Sequence, residues 1–222
     1  MQYNISEIAK MIDHSLLHPT MTDEDLEKGV QQAIQYQTAS VCIKPYAVKK
    51  CAEWLKGTDV LVCTVIGFPH GSHTTDIKVA ETKLACEQGC HEIDMVVNIG
   101  KVLSGDWDYV ANEIRQINAE CLAHGASLKV IFENDYLKDE HKIKLCSICS
   151  DIPVAFVKSA GLVLLRLNIK PTFEDVTVIV PVETPHVGGV TSAVIVPGLL
   201  LTVRLIAILL VQLVVFVLVT FA

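Results

Sequence analysis

Lys158 closes the apolar run Val154-Ala155-Phe156-Val157-Lys158. A lysine at the end of a buried strand either carries its ammonium out to solvent or sits neutral in an apolar pocket. In the second case burial lowers its pKa, and the free amine is a nucleophile toward carbonyls. Other polar residues interrupt apolar runs upstream. Asp13 follows Met11-Ile12, and Cys42 lies in Val41-Cys42-Ile43, with Lys44-Pro45 after it. Asp94 lies within Glu92-Ile93-Asp94-Met95-Val96-Val97-Asn98, and Lys129 and Glu133 lie within Leu128-Lys129-Val130-Ile131-Phe132-Glu133. Strand alternation puts Glu92, Asp94, Val96 and Asn98 on one face, and Lys129, Ile131 and Glu133 on one face. If those faces point at a common axis, a carboxylate and two lysines meet there, which is the equipment for amine catalysis with proton transfer. Each residue also has a structural reading. Asp13 could cap a turn, Asp94 could be a buried ion-pair partner, and Lys129 could be a solvent lysine at a strand start. Several charges in mid-strand are harder to explain, because an unpaired buried charge costs several kcal/mol.

The elements that would carry these residues alternate regularly. Strand-like runs are read at Lys10–Leu17, Ala39–Ile43, Val60–Ile66, Glu92–Asn98, Leu128–Glu133, Val154–Ser159 and Val182–Val187, with an eighth inside Ile208–Val215. Between them Asp23–Tyr36, Tyr46–Leu55, Asp76–Gln88, Asp106–Ala123 and Lys138–Cys149 carry apolar stripes of helical period. Thr22 precedes Asp23-Glu24-Asp25 as an N-cap with acids in the first turn. Gly57, Gly89 and Gly125 sit where left-handed helix stops are wanted. Strands alternating with helices imply a parallel sheet, and near-continuous apolar strands imply that both faces are covered. Eight such units in 222 residues fit a compact TIM (β/α)8 barrel, read as one domain over residues 1–222 with an extra N-terminal helix. A doubly wound open sheet is the second choice, and no Gly-x-Gly-x-x-Gly follows the first strand to support it.

Bulk properties narrow the function. A formal charge of -7 argues against a nucleic-acid partner, although backbone amides could still hold a small phosphate. The N-terminal residues Met1 to Glu7 have neither a basic start nor an apolar core, so no signal peptide is expected. Most of the eight cysteines sit singly in apolar segments, as small hydrophobes do. Cys146-Ser-Ile-Cys149 has metal-type spacing, but no second pair or histidine completes a four-ligand set, so no metal is expected and a reduced, cytoplasmic chain is. After Lys158 the composition changes, with Arg166, Lys170, Glu174, Asp175, Glu183 and Arg204 the only charged residues. Leu205 to Ala222 could be a membrane tail anchor if helical, or a helix followed by a buried parallel strand, the reading preferred here.

Taken together, these segments resemble the deoxyribose-phosphate aldolases. The matching stretches are Ile12-Asp13-His14-Ser15-Leu16-Leu17, Ser40-Val41-Cys42-Ile43, Cys63-Thr64-Val65-Ile66-Gly67-Phe68-Pro69-His70-Gly71, Glu92 to Asn98, Lys129 to Glu133 and Phe156-Val157-Lys158. They follow one another in family order over residues 5–158. The resemblance implies a class I aldolase on a TIM barrel, needing no metal or other cofactor. Such an enzyme reversibly cleaves 2-deoxy-D-ribose 5-phosphate to acetaldehyde and D-glyceraldehyde 3-phosphate. It implies Lys158 as the Schiff-base residue, Asp94 as the group that moves protons through a water, and Asp13, Cys42 and Lys129 as pocket lining. Partners implied are small phosphorylated sugars and aldehydes, with a homodimer as the family's frequent state and neither nucleic acid nor membrane.

Beyond Lys158 the resemblance thins. Ser159-Ala160-Gly161 stands where the family has Thr-Ser-Thr-Gly, and Pro185 aligns with its second catalytic lysine. Val187-Gly188-Gly189-Val190 resembles the family's phosphate turn, with Thr191 in place of the arginine that follows, so Gly188 and Gly189 are the expected remnant of a phosphate site. These departures predict impaired turnover, with Lys129 partly substituting for the absent lysine in keeping Lys158 neutral. The alternative reading is an inactive or substrate-shifted barrel without a phosphate site, tethered by its tail.

Overall fold

Alternation along each strand sorts side chains into two environments. Val41 and Ile43, Ile93, Met95 and Val97, and Leu128 and Val130 join one large apolar core, together with the inner faces of the helices. Ser40, Cys42, Glu92, Asp94 and Lys129 occupy the alternate positions, all buried, and point to the opposite side of the sheet. A sheet with both faces buried and a charged inner side is what a barrel produces and an open half-solvated sheet does not.

A computed structural model of the chain describes residues 4–158, together with the backbone of residues 201–206 and 216–221. Its elements are α1 (Ile5–Ala9), β1 (Asp13–Leu16), α2 (Asp23–Tyr36), β2 (Ser40–Ile43), α3 (Val48–Trp54), β3 (Leu61–Ile66), α4 (Thr75–Glu87) and β4 (Glu92–Val96). They continue with α5 (Ile99–Leu103), α6 (Trp107–Ala123), β5 (Ser127–Ile131), α7 (Asp139–Asp151), β6 (Phe156–Lys158), β7 (Leu201–Ile206) and β8 (Phe216–Phe221). Strands β1 to β6 form one sheet in chain order, every neighbouring pair parallel. Five successive steps of about 4.8 Å would put β1 and β6 roughly 24 Å apart in a flat sheet. Instead the Lys158 ammonium on β6 lies 2.7 Å from the Asp13 carboxylate on β1. The sheet is therefore curled about an axis, with helices outside, as in an α/β barrel.

Local chemistry explains where the elements start and stop. Thr22 caps α2 through its hydroxyl to the Asp25 amide, and Asp25 returns a bond to the Thr22 amide, so the helix begins at Asp23 as its sequence predicts. Leu26, Val30 and Ala33 face the sheet, and Gly29 lets α2 approach so closely that a Cβ there would lie 2.3 Å from Leu16 Cδ2. Gly89 and Gly125 end α4 and α6 with φ of 97° and 70°, the left-handed turn their positions predict. The described strands are shorter than anticipated, and for two of them the reason is local. Lys10 caps α1 rather than opening β1, and Asn98 leaves β4 because its side chain caps the short helix α5, accepting from the Lys101 amide at 3.1 Å. That five-residue helix carries too little periodicity to be read in advance.

One buried ion pair braces the end of β4 from outside the barrel. Lys78 of α4 pairs with Glu113 of α6 at 2.7 Å, both side chains fully buried. Lys78 also donates to the Val96 carbonyl at 2.8 Å, while Glu113 accepts from the Asn98 amide at 3.1 Å.

The tail departs from its reading. Strands β7 and β8 pair antiparallel, Leu201 opposite Phe221 through Ile206 opposite Phe216. A continuous helix over Leu205–Ala222 is therefore not formed, because Phe216–Phe221 is extended and laddered. Among the described residues no helix is long and apolar enough to cross a membrane. The strands expected at Val182–Val187 and Ile208–Val215 lie outside the described residues, as do Pro185, Gly188, Gly189 and Thr191.

Candidate active site

Among the described residues, five carboxyl and amine side chains from four strands converge inside the barrel. β1 supplies Asp13, β4 supplies Glu92 and Asp94, β5 supplies Lys129 and β6 supplies Lys158. Parallel register sets Asp94 beside Lys129, and curling brings Asp13 across to both lysines. Lys158 Nζ donates to Asp94 Oδ2 in a very short bond, and to Asp13 Oδ2 at 2.7 Å. Lys129 Nζ donates to Glu92 Oε2 at 2.6 Å and to Asp13 Oδ2 at 3.0 Å, and stands 3.9 Å from Asp94 Oδ1. Ser40 steadies Asp13 by donating to its Oδ1 at 2.6 Å. The Cys42 thiol points at Asp94 Oδ2, 3.7 Å away, and Cys63 is its register neighbour on β3. Among the described residues Asp94 Oδ1 is buried with no hydrogen-bond partner.

The five sequence-selected residues that fall among the described ones, Lys158, Asp94, Lys129, Asp13 and Cys42, thus share one site. Asp94 is a buried ion-pair partner, as one of its readings held. Asp13 does not cap a turn, and Lys129 is not a solvent lysine, its side chain being fully buried. Three further residues belong here that had been given no part: Glu92, Ser40 and Cys63. Glu92 was recognisable as a neighbour of Asp94 two positions away on the same face. Cys63 becomes a neighbour of Cys42 only once the register of β2 and β3 is known. Glu133, placed with Lys129 by alternation, lies beyond the end of β5 at a φ of 58°, where alternation no longer applies.

The electrostatics overturn one expectation. A neutral Lys158 required an apolar pocket, but its pocket is anionic. Burial pulls its pKa down and Lys129 adds to that pull, yet Asp94 and Asp13 outweigh both, leaving Lys158 raised above an ordinary lysine. Lys129 does not supply enough repulsion to keep Lys158 neutral. Lys129 is itself raised, its desolvation outweighed by the acidic groups Cys63, Asp94, Asp13 and Glu92 around it. Asp13 is pushed up by burial but held well below the usual carboxylate range by the two ammoniums and by bonds from Lys158 and Ser40. Three carboxylates face two ammoniums, so the cluster carries one excess negative charge among the described residues.

Cys146 and Cys149 join no group of three metal-capable side chains among the described residues. All eight cysteines are free. Cys42, Cys63 and Asp94 alone bring three metal-capable atoms together among those residues.

Comparison with known proteins agrees with this geometry. The profile of the DeoC/LacD family aldolase matches residues 7–159. A deoxyribose-phosphate aldolase of Rhodopirellula baltica is 56% identical over 158 residues, covering 71% of this chain and 66% of that protein. One from Caldanaerobacter subterraneus is 47% identical over 158 residues, covering 71% and 68%. The tetrameric deoxyribose phosphate aldolase of Aeropyrum pernix superposes with a TM-score of 0.66 at 28% identity, over 71% of this chain and 65% of that one. The matched segment thus spans about two thirds of these relatives' own length. With the barrel, the inward lysines and this match in hand, the chain belongs to the DeoC/LacD family of aldolases.

Proposed function

We propose that this chain is a class I aldolase that reversibly cleaves 2-deoxy-D-ribose 5-phosphate to acetaldehyde and D-glyceraldehyde 3-phosphate through a Schiff base on Lys158. The observation that carries the reading is the placement of Lys158 Nζ at the end of a barrel strand between two carboxylates, one with an oxygen that accepts no hydrogen bond among the described residues. Catalytic groups in this architecture sit at the carboxyl ends of the strands. The curated relatives named for this activity support the substrate.

The chemistry follows from the charges. Lys158 rests as an ammonium, so a proton must leave before its nitrogen attacks the aldehyde carbon, and Asp94 Oδ2 already accepts that proton's hydrogen bond. Loss of water then gives an iminium, cationic like the ammonium it replaces. The carboxylates that oppose deprotonation therefore stabilise the electron sink, as preorganised charges should. Removal of the proton from the C3 hydroxyl breaks the C2–C3 bond, releasing glyceraldehyde 3-phosphate and leaving an enamine on Lys158. Protonation at C2 and hydrolysis free acetaldehyde and the lysine. Asp94 Oδ1 is the open acceptor through which a water can move these protons. Asp13 fixes Lys158 and Lys129, Lys129 ties Asp13 to Glu92, and Cys42 lines the wall beside Asp94.

A single barrel domain through residue 222, a cytoplasmic location, phosphate held near Gly188 and Gly189, and self-association belong to the same reading. The direct test supplies 2-deoxy-D-ribose 5-phosphate to the purified chain and follows acetaldehyde release. Release abolished by Lys158→Met supports the proposal, and no release from folded wild type sinks it.

A further inference from the structure

The barrel interior holds a second arrangement that the aldol chemistry does not use. Cys42 and Cys63 face each other across β2 and β3, and their sulfurs and an Asp94 carboxylate oxygen all lie within 4.8 Å of one another. All three side chains are buried. Tetrahedral zinc with bonds of ~2.0–2.3 Å holds its ligand atoms about 3.5–3.8 Å apart. Cys42 Sγ and Asp94 Oδ2 are already 3.7 Å apart. An independent feature points to the same place. Asp94 Oδ1, on the carboxylate that Cys42 faces, is buried without a hydrogen-bond partner among the described residues, its ion-pair neighbour Lys129 Nζ being 3.9 Å away. Among the described residues the surrounding charges, three carboxylates against two ammoniums, leave an excess of negative charge to attract a cation.

We infer that Cys42, Cys63 and Asp94 form a binding site for a thiophilic divalent cation, zinc or cadmium, and that its occupation switches the aldolase off. Two thiols and a carboxylate are a borderline-soft donor set that suits these ions and disfavours magnesium or calcium. The charge balance closes without moving either lysine. The cation brings two positive charges, and each thiol releases one proton to solvent as its sulfur bonds the metal. The cluster therefore keeps the net charge it had. Three protein ligands leave one position for water. Once it coordinates the metal, Asp94 can no longer accept the proton of Lys158 or hold the water that serves the enamine. The ion is thus an inhibitor and not a cofactor. That consequence rests on the Schiff-base reading, whereas the site itself does not.

The test uses the full chain carrying Cys146→Ser, which removes the exposed thiol, and cadmium as probe. Titration should raise one equivalent of cadmium–thiolate charge-transfer absorption with release of two protons. X-ray absorption at that point should show two sulfur ligands with oxygen in the remaining positions. Cys63→Ser and Cys42→Ser should each bind cadmium more than about tenfold more weakly. Cadmium should also block borohydride trapping of acetaldehyde in the parent chain, with recovery on chelation, while any trapping by Cys63→Ser is insensitive to the metal. An absorption band unchanged by either substitution, or a shell without two sulfurs, overturns the site. If trapping fails even without metal, the Schiff-base reading falls while the absorption spectra and sulfur count of the folded parent chain still judge the site.

Discussion

Lys158 on β6 donates to Asp13 on β1 across 2.7 Å, although their strands are five places apart in the sheet. That bond records the closure of the barrel and also fixes the charge state of the nucleophile. An anionic neighbour from the opposite side of the sheet, together with Asp94, turns a buried lysine into a stabilised ammonium.

Schiff-base formation should therefore be limited by deprotonation of Lys158. Its rate, followed by borohydride trapping, is expected to rise with pH through neutrality as the amine fraction grows. Asp13→Asn removes one of the charges that raise the Lys158 pKa, so the profile should move to lower pH. A profile that is flat, or that moves upward in the variant, contradicts this assignment.

Acid stability should depend on Asp13. Its folded pKa is depressed, so its contribution to stability is present above the unfolded value of ~3.9 and is lost as pH falls below it. Lys158 has the opposite sign, with its contribution present below about 10.4 and lost as pH rises toward the raised folded value. Urea unfolding across pH should show a plateau between these limits. Asp13→Asn should flatten the acid limb.

Lys129→Met leaves Asp13 and Glu92 facing each other without their shared cation. Breaking a buried pair on one side typically costs about 3–5 kcal/mol, and a loss of that size is expected in denaturant titration. Adding Glu92→Gln to Lys129→Met removes one stranded charge and should restore part of the loss. No recovery in the double variant would show that Glu92 and Lys129 are not coupled.

The brace at the end of β4 gives a separate prediction. Glu113→Ala strands the Lys78 ammonium and frees the Asn98 amide, again at about 3–5 kcal/mol. Gly67→Ala should also destabilise, since Gly67 has a φ of 62° and a Cβ there would lie 2.6 Å from Lys78 Cε. Thermal melts of the two variants decide this, and a wild-type Tm in either removes the brace from the account.

Much of the site was legible because a charged side chain inside a strand-length apolar run is expensive and therefore conspicuous. Asp94 and Lys129 stand out on that ground, and the α2 boundary was legible from Thr22 and the acids after it. What remained hidden is which side chains meet across the barrel. The barrel reading brings the strand interiors to a common axis but does not say that Asp13 on β1 reaches across to Lys158 on β6. Neither alternative weighed for Lys158, an ammonium in solvent or a neutral amine in an apolar pocket, includes the two carboxylates that hold it. The register that pairs Cys42 with Cys63, and the partnership of Glu92 with Lys129, are likewise properties of strand pairing rather than of any one segment. Asn98 was read as strand because its apolar neighbours continue the alternation, whereas its side chain caps the next helix.

The most direct measurement treats the purified chain with acetaldehyde and borohydride, then locates the adduct by peptide mass mapping. One ethyl group on the peptide containing Lys158, absent in Lys158→Met and strongly reduced in Asp94→Asn, is the expected result. An adduct confined to other lysines, or none on the folded chain, contradicts the central claim that Lys158 is the Schiff-base nucleophile.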